Sequence, residues 1–217
     1  MKIKWFGHAS FLITSDKGIK IITDPYTPGV YGLEYKQISE SADIVTMSHD
    51  HADHNNVNCI PGKPQILKGA GKHQAKGIEF RGIASCHDDC GGKERGDDTI
   101  FTFTIDDIRF CHLGDLGHDL DDRVVADAGP VDVLLIPVGG NFTIDAAVAS
   151  RVCDKLKPKI AIPMHFRNER CPNFPVAGVD DFVAMRSSVR RLDSSEVTVR
   201  KEELPATVET VVLQPAR

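Results

Sequence analysis

The chain has 217 residues, 41% of them hydrophobic and 26% charged, with a formal net charge of −5 at pH 7. That length fits one domain, residues 1–217, with a substantial core, and the apolar content excludes a disordered chain. The acidic balance argues against a nucleic-acid partner, and no apolar run approaches the ~18 residues of a membrane helix.

Three short apolar segments open the chain, Ile3–Phe6, Ser10–Thr14 and Ile19–Thr23, and the turn residues Asp16–Gly18 join the last two as a β-hairpin. Asp24-Pro25 ends the hairpin, and a loop rich in Pro, Gly and Tyr runs to Tyr35. Ala42–Met47 is predicted as a strand that feeds directly into a histidine-rich loop. Further strands are expected at Gln65–Lys68, Ile78–Ser85, Thr99–Thr104 and Ile108–Cys111, with Asp106-Asp107 turning between the last two. Val131–Pro137 is a near-continuous apolar run of the kind buried on both faces of a sheet. Thr143 is the expected N-cap of a helix through Lys157, whose apolar stripe is Ile144, Ala147, Val148 and Val152. Pro158 stops it, Lys159–Pro163 follows as a strand, and a second helix is predicted over Val179–Arg191. Strands at Val197–Arg200 and Thr207–Leu213 complete an α/β chain. Cys59, Cys86, Cys90, Cys111, Cys153 and Cys171 are scattered and no secretory leader precedes them, so free thiols in a cytoplasmic protein are expected.

Nine histidines carry the functional reading. His49, His51 and His54 stand with Asp53 in the loop after the Ala42–Met47 strand, where a rigid scaffold presents side chains. Imidazole and carboxylate suit zinc and its first-row neighbours. One- and two-residue steps point side chains in different directions, so these groups cannot all serve one ion well. The natural partition is His49 with His51 on one metal and Asp53 with His54 on a second. Completing ligands are available at other strand ends: His87, His112 with Asp115, and His165. Cys86 and Cys90 flank His87, but two thiols without a CxxC pair are a weak structural-metal signal.

The order His49-x-His51-x-Asp53-His54, then His87, Asp115 and His165, resembles the metallo-β-lactamase superfamily. Asp24, in Thr23-Asp24-Pro25, matches the acidic residue that opens that family's series, and the resemblance spans about Trp5 to His165. Trp5-Phe6-Gly7-His8-Ala9-Ser10-Phe11 and Pro137-Val138-Gly139-Gly140 resemble the small branch that includes ascorbate-6-phosphate lactonase-like hydrolases. The resemblance implies a four-layer αββα sandwich, two mixed sheets face to face with helices outside and the metals at one edge. It places His49, His51 and His87 on the first metal, Asp53, His54 and His165 on the second, and Asp115 between them. Zinc is the default ion, with Mn²⁺ or Fe²⁺ as alternatives.

Around these ligands, Asp24 is expected to brace the histidine-rich loop. His112 is read either as a group orienting Asp115 or as a satisfied core histidine, and it is the fallback for His87. His8 and His118 are candidates for contacting substrate or for protonating the leaving group. Asn141, Arg95 and Arg167 are candidate substrate contacts, the two arginines for an anionic group, while His73 is expected to be merely exposed. The chemistry implied is hydrolysis by a hydroxide activated between two ions, with Asp53 and Asp115 essential. A lactone or other carboxylic ester comes first and a small phosphodiester second, and a non-catalytic metal-binding module is the reading from a different class. A small-molecule substrate is expected, with no nucleic-acid or membrane partner. The 171–217 segment either packs on the core or helps to build a homo-oligomer.

Overall fold

Strands form wherever the sequence offers short β-branched and aromatic runs between turn residues. The computed structural model describes residues 1–216. In chain order its strands are β1 (Lys2–Gly7), β2 (Ser10–Thr14), β3 (Lys20–Thr23), β4 (Ile44–Met47), β5 (Gln65–Lys68), β6 (Gly71–Ala75), β7 (Ile78–Cys86), β8 (Asp97–Ile105), β9 (Ile108–His112), β10 (Val133–Pro137), β11 (Ile160–Met164), β12 (Val189–Arg191), β13 (Glu196–Thr198) and β14 (Glu209–Val212). The helices are α1 (Asp122–Ala128), α2 (Ala146–Leu156) and α3 (Asp180–Ala184). A six-stranded sheet has the order β13-β1-β2-β3-β4-β5, and an eight-stranded sheet the order β12-β14-β11-β10-β9-β8-β7-β6. The pairings make β1, β3 and β4 run in one direction in the first sheet. They likewise align β7, β9, β10 and β11 in the second. The carboxyl ends of these seven strands carry the site described below.

The sandwich of two mixed sheets agrees with the expected α/β architecture. Its main core joins Trp5, Phe11, Ile13 and Ile21 of the smaller sheet to Phe101, Phe110, Leu135 and Ile162 of the larger. Neighbouring residues on the same small-sheet strands, Phe6, Leu12, Ile22 and Val45, belong to a second cluster with Tyr26, Leu33, Tyr35 and Ile38. Both faces of that sheet are therefore covered, which is why its strands show little polar alternation. The second cluster draws on no residue of α1, α2 or α3. Irregular chain with single 3₁₀ turns at Val30–Gly32 and Val57–Cys59 supplies that outer layer, while α2 packs on β10 and α1 on β7.

Several local expectations are corrected. Asp145, not Thr143, caps α2 by accepting from the Val148 amide at 2.8 Å. The Ile144 amide instead donates to the Leu116 carbonyl (2.8 Å), which holds Thr143–Ile144 out of the helix and against the 113–117 loop. The helix predicted over Val179–Arg191 stops at Ala184, because Val189–Arg191 pairs in parallel with β14. Sheet pairing thus overrides local propensity. The short α1, capped by Asp121, falls below the length at which apolar periodicity is readable. His73 lies in the polar edge strand β6, half-buried, with Nε2 2.9 Å from the Gly69 carbonyl. All six cysteines are free. Among the described residues, no helix is long and apolar enough to cross a membrane.

Asp132, just before β10, ties three distant segments together. It accepts from the Arg109 amide and guanidinium at 2.9–3.1 Å and from Lys201 Nζ at 3.0 Å. Burial pushes its carboxyl up, but these donors more than offset that and hold it down at about 2. A folded value below the unfolded one contributes stability that is complete above about pH 4 and lost as pH falls toward 2. Denaturant titrations of the wild type should therefore lose stability across that window, and Asp132→Asn should flatten this part of the profile while lowering stability at pH 7.

Candidate metal centre

Each functional side chain sits on the residue or short loop that follows an aligned strand. His8 occupies the turn after β1, Asp24 follows β3, and His49, His51, Asp53 and His54 follow β4. His87 follows β7, Asp115 lies just past β9, and His165 ends β11. Three of these residues adopt a left-handed backbone without being glycine: His8 (φ 52°), Asp24 (φ 35°) and His165 (φ 53°). Such conformations cost of order 1–3 kcal/mol each and persist where the surroundings over-determine them. Here the His8 carbonyl is the clamp, accepting from Trp5 Nε1 (3.0 Å) and from the His165 amide (3.2 Å).

Asp24 is fully buried and organises the histidine-rich loop. It accepts from the Ser48 amide (2.8 Å), from Ser48 Oγ (2.5 Å) and from His54 Nδ1 (2.9 Å). Because Ser48 Oγ donates to Asp24, His49 Nδ1, 2.9 Å from that oxygen, must donate to it. Both histidines consequently turn Nε2 toward the site. Burial pushes the Asp24 carboxyl up, yet His112 and His54 together hold it below the ordinary range.

Asp115 is the centre of the arrangement. Its Oδ2 lies 3.1 Å from His54 Nε2, 3.2 Å from His87 Nε2, 3.3 Å from His165 Nε2 and 4.0 Å from His49 Nε2. Burial raises its carboxyl, but His165 and His54 hold it well below the ordinary value. For His54 burial works downward, and the charges of Asp115 and Asp53 lift it well above the usual imidazole. His8 goes the other way: burial and the nearby His165 push it down to about 4, against the 3.0 Å contact of its Nε2 with Asp53 Oδ2. His8 is thus neutral near pH 7 and donates Nε2–H to Asp53.

Three groups of residues each offer ligand atoms within 4.8 Å of one another: His49, His51 and His87; His8, Asp53, His54, Asp115 and His165; and Asp24, His49 and His54. The buried Nε2 of His49, Oδ1 of Asp53 and Oδ1 of Asp115 have no hydrogen-bond partner. Buried polar atoms left this way cost about 1–3 kcal/mol each. A convergent set of imidazole and carboxylate atoms, orphaned and pre-oriented, fits a divalent cation.

The remaining candidates separate cleanly. A cleft of about 420 Å³ opens over the cluster, lined by His51, Asp53, His87, Asp115 and His165 together with Tyr31, Arg95, Phe142, Phe174 and Pro175. Arg95 is on its wall, 5.9 Å above the Phe142 ring. Asn141, exposed at φ 62°, and the exposed Arg167 are not among the lining residues. Asn141 loses the position to its neighbour Phe142, because the left-handed turn directs the next side chain to the cleft. His118 is also outside, with Nε2 3.2 Å from Ser85 Oγ and Nδ1 on the Asp119 carbonyl, and it lines a separate groove with Asp121 and Arg123. His112 does not orient Asp115. Its Nε2 donates to the Ala9 carbonyl (3.1 Å), bracing the His8 turn. The Asp115 amide instead donates to Asp98 Oδ1 (3.1 Å), which is also 3.5 Å from His49 Nδ1. Asp98 and Ser48 escape sequence reading. The one available signal for Asp98 is a carboxylate at the head of an apolar strand. Two glycines let the site loops meet: a Cβ at Gly117 would strike the backbone of His87–Asp88, and one at Gly139 the carbonyl of His165.

A family profile described as "Beta-lactamase superfamily domain" matches residues 2–165, the span that holds every candidate ligand from His49 to His165. The chain belongs to this superfamily. A UPF0173 metal-dependent hydrolase from Carboxydothermus hydrogenoformans is 28% identical over 206 residues, covering 83% of this chain and 88% of its own. A UPF0173 protein from Pyrococcus abyssi is 31% identical over 183 residues, covering 76% and 83%. The crystal structure of a candidate Zn-dependent hydrolase of the metallo-β-lactamase superfamily from Thermotoga maritima superposes with a TM-score of 0.81 at 33% identity, over 98% of this chain and 97% of the other. The metallo-β-lactamase fold and membership among the superfamily's metal-dependent hydrolases follow from these matches and the buried His/Asp cluster.

Asp24→Asn tests the brace directly. It keeps the shape but removes the charge facing His54, and loss of such a supporting group costs about 10–100-fold in metal affinity. Chelator competition should show that drop, with far-UV circular dichroism unchanged. Undiminished affinity would remove Asp24 from the site.

Proposed function

We propose that the chain is a single hydrolase domain with two divalent ions, zinc by default and Mn²⁺ or Fe²⁺ as alternatives, acting on a lactone or other carboxylic ester. The observation that carries this reading is Asp115 Oδ2, set among three imidazole Nε2 atoms at 3.1–3.3 Å, two from its own group of ligand residues and one, His87, from the neighbouring group. In this reading His49, His51 and His87 hold one ion, Asp53, His54 and His165 the other, and Asp115 serves both. When bound, the ions supply hydroxide near neutral pH and polarise the electrophilic oxygen.

The protein's own groups do the rest. Ser48, Asp24 and Asp98 fix the orientation of His49, His54 and Asp115. Asp53 lines the cleft with an unpaired Oδ1 while His8, behind it, donates to Oδ2. That pair is the one placed to hold and pass a proton at the cleft, since His118 faces elsewhere. The polar floor and the walls of Tyr31, Phe142, Phe174 and Pro175 suit a compact, partly apolar small molecule, and about 420 Å³ is a small-molecule volume. No nucleophilic side chain is required.

Purified protein loaded with Zn²⁺ or Mn²⁺ should hydrolyse a member of a panel of generic lactones, aryl esters and a bis-aryl phosphodiester, and Asp53→Ala should abolish the turnover. Elemental analysis should give two ions per chain, falling by one in His51→Ala and in His165→Ala. Turnover confined to the phosphodiester would move the assignment to that class. Two bound ions without turnover would favour a binding module, and fewer than one ion per chain would sink the two-metal reading.

A further inference from the structure

The segment from His87 to Gly96 is closed into a loop by the His87 amide donating to the Gly96 carbonyl (3.0 Å) and the Gly96 amide to the Gly92 carbonyl (3.1 Å). Inside it the Asp88 carboxylate, 3% exposed, accepts from the amides of Cys90 (3.0 Å), Gly92 (2.7 Å), Glu94 (2.9 Å) and Arg95 (2.8 Å), and from Cys90 Sγ (3.2 Å). A carboxylate that gathers four backbone N–H groups from within six residues fixes the path of the chain around it. The Arg95 amide, the strongest of these donors, helps to hold that carboxyl well below the ordinary range. What the loop delivers is Arg95, which rests over Phe142 and is the one lysine or arginine among the described residues lining the cleft. Its nearest carboxylate, Glu94 at 3.7 Å, is 68% exposed and is a weak competitor for it.

We infer that the substrate carries an anionic group beside its scissile bond, bound by the Arg95 guanidinium, and that Asp88 is the positioning residue for this contact. The inference rests on the hydrolase reading for the scissile bond but not for the anion. An aromatic-backed guanidinium in a cleft that also has Tyr31, Phe142, Phe174 and Pro175 in its walls selects a partly apolar ester that carries a carboxylate or phosphate monoester. Arg provides planar, two-point recognition of either anion, which Lys does not reproduce.

Two matched aryl esters test this, one with a neutral acyl chain and one ending in a carboxylate, alongside calorimetric binding of phenylacetate and phenyl phosphate to the protein with and without Zn²⁺. The wild type should prefer the anionic ester by about ten- to a hundred-fold in kcat/KM, the range expected of a hydrogen-bonded ion pair. In Arg95→Gln that preference should fall to near unity through KM, Arg95→Lys should restore only part of it, and binding of the better probe should weaken by the same factor. The stronger of the two probes identifies the anion. Asp88→Ala should raise KM for the anionic ester with little change in kcat, and Asp88→Asn, which keeps an acceptor oxygen, should recover part of the loss. Equal kcat/KM for both esters, unaltered in Arg95→Gln, would overturn the inference and leave the hydrolase reading intact. Arg95-dependent binding of either probe without hydrolysis of any ester would do the reverse.

Discussion

The carboxylate of Asp115 is 1% exposed and has three imidazole nitrogens within 3.3 Å of one oxygen. Burying that charge is costly unless it is compensated from several sides at once. No single element can compensate it, because a strand end offers one side chain in a given direction. The solution is to converge loops from both sheets: one after β4, one after β7, one after β9 and one after β11 meet at this oxygen. The face-to-face sandwich is the scaffold that makes such convergence geometrically available. Its aligned strands put their carboxyl ends along one edge, so chain segments more than a hundred residues apart reach the same point.

Convergence imposes secondary demands on the backbone. His8, Asp24 and His165 are held in left-handed conformations, at about 1–3 kcal/mol each, because an extended residue there would aim its side chain away. Gly117 and Gly139 are confined to glycine by neighbouring main chain rather than by their own dihedral angles. The polar supports run backward from the ligands in a chain: His49 to Ser48, Ser48 to Asp24, and His54 to the same carboxylate. Asp24 thereby sets the presentation of two ligands.

The ligands themselves were legible because their chemistry is concentrated: four of them lie between His49 and His54, and the others stand immediately after apolar runs that read as strands. The strands were legible for the same reason that β1 to β4 show both faces buried, a dense apolar pattern cut by the Asp16-Lys17-Gly18 and Asp24-Pro25 turns. What could not be read depended on tertiary partners. Asp98 and Ser48 are ordinary residue types whose roles exist only because Asp115 and Asp24 are brought beside them. His112 has the same sequence credentials as a ligand, yet it ends β9 pointing at the Ala9 carbonyl. Thr143 is as good a cap as Asp145 in isolation, and the Leu116 carbonyl decides between them. The Val189–Arg191 strand replaced an expected helix because β14 offered it a partner.

The segment after β7 joins a histidine of the cluster and an arginine of the cleft in one structural unit. His87 opens it, Gly96 closes it onto the His87 amide, and Asp88 fills its interior. Four amides share the Asp88 carboxylate, so the backbone that carries Arg95 and the backbone of His87 belong to one hydrogen-bonded loop. Gly117 packs against that same backbone with no room for a side chain, and it lies two residues beyond Asp115. The loop that carries Arg95 and the loop that carries Asp115 are therefore packed main chain against main chain.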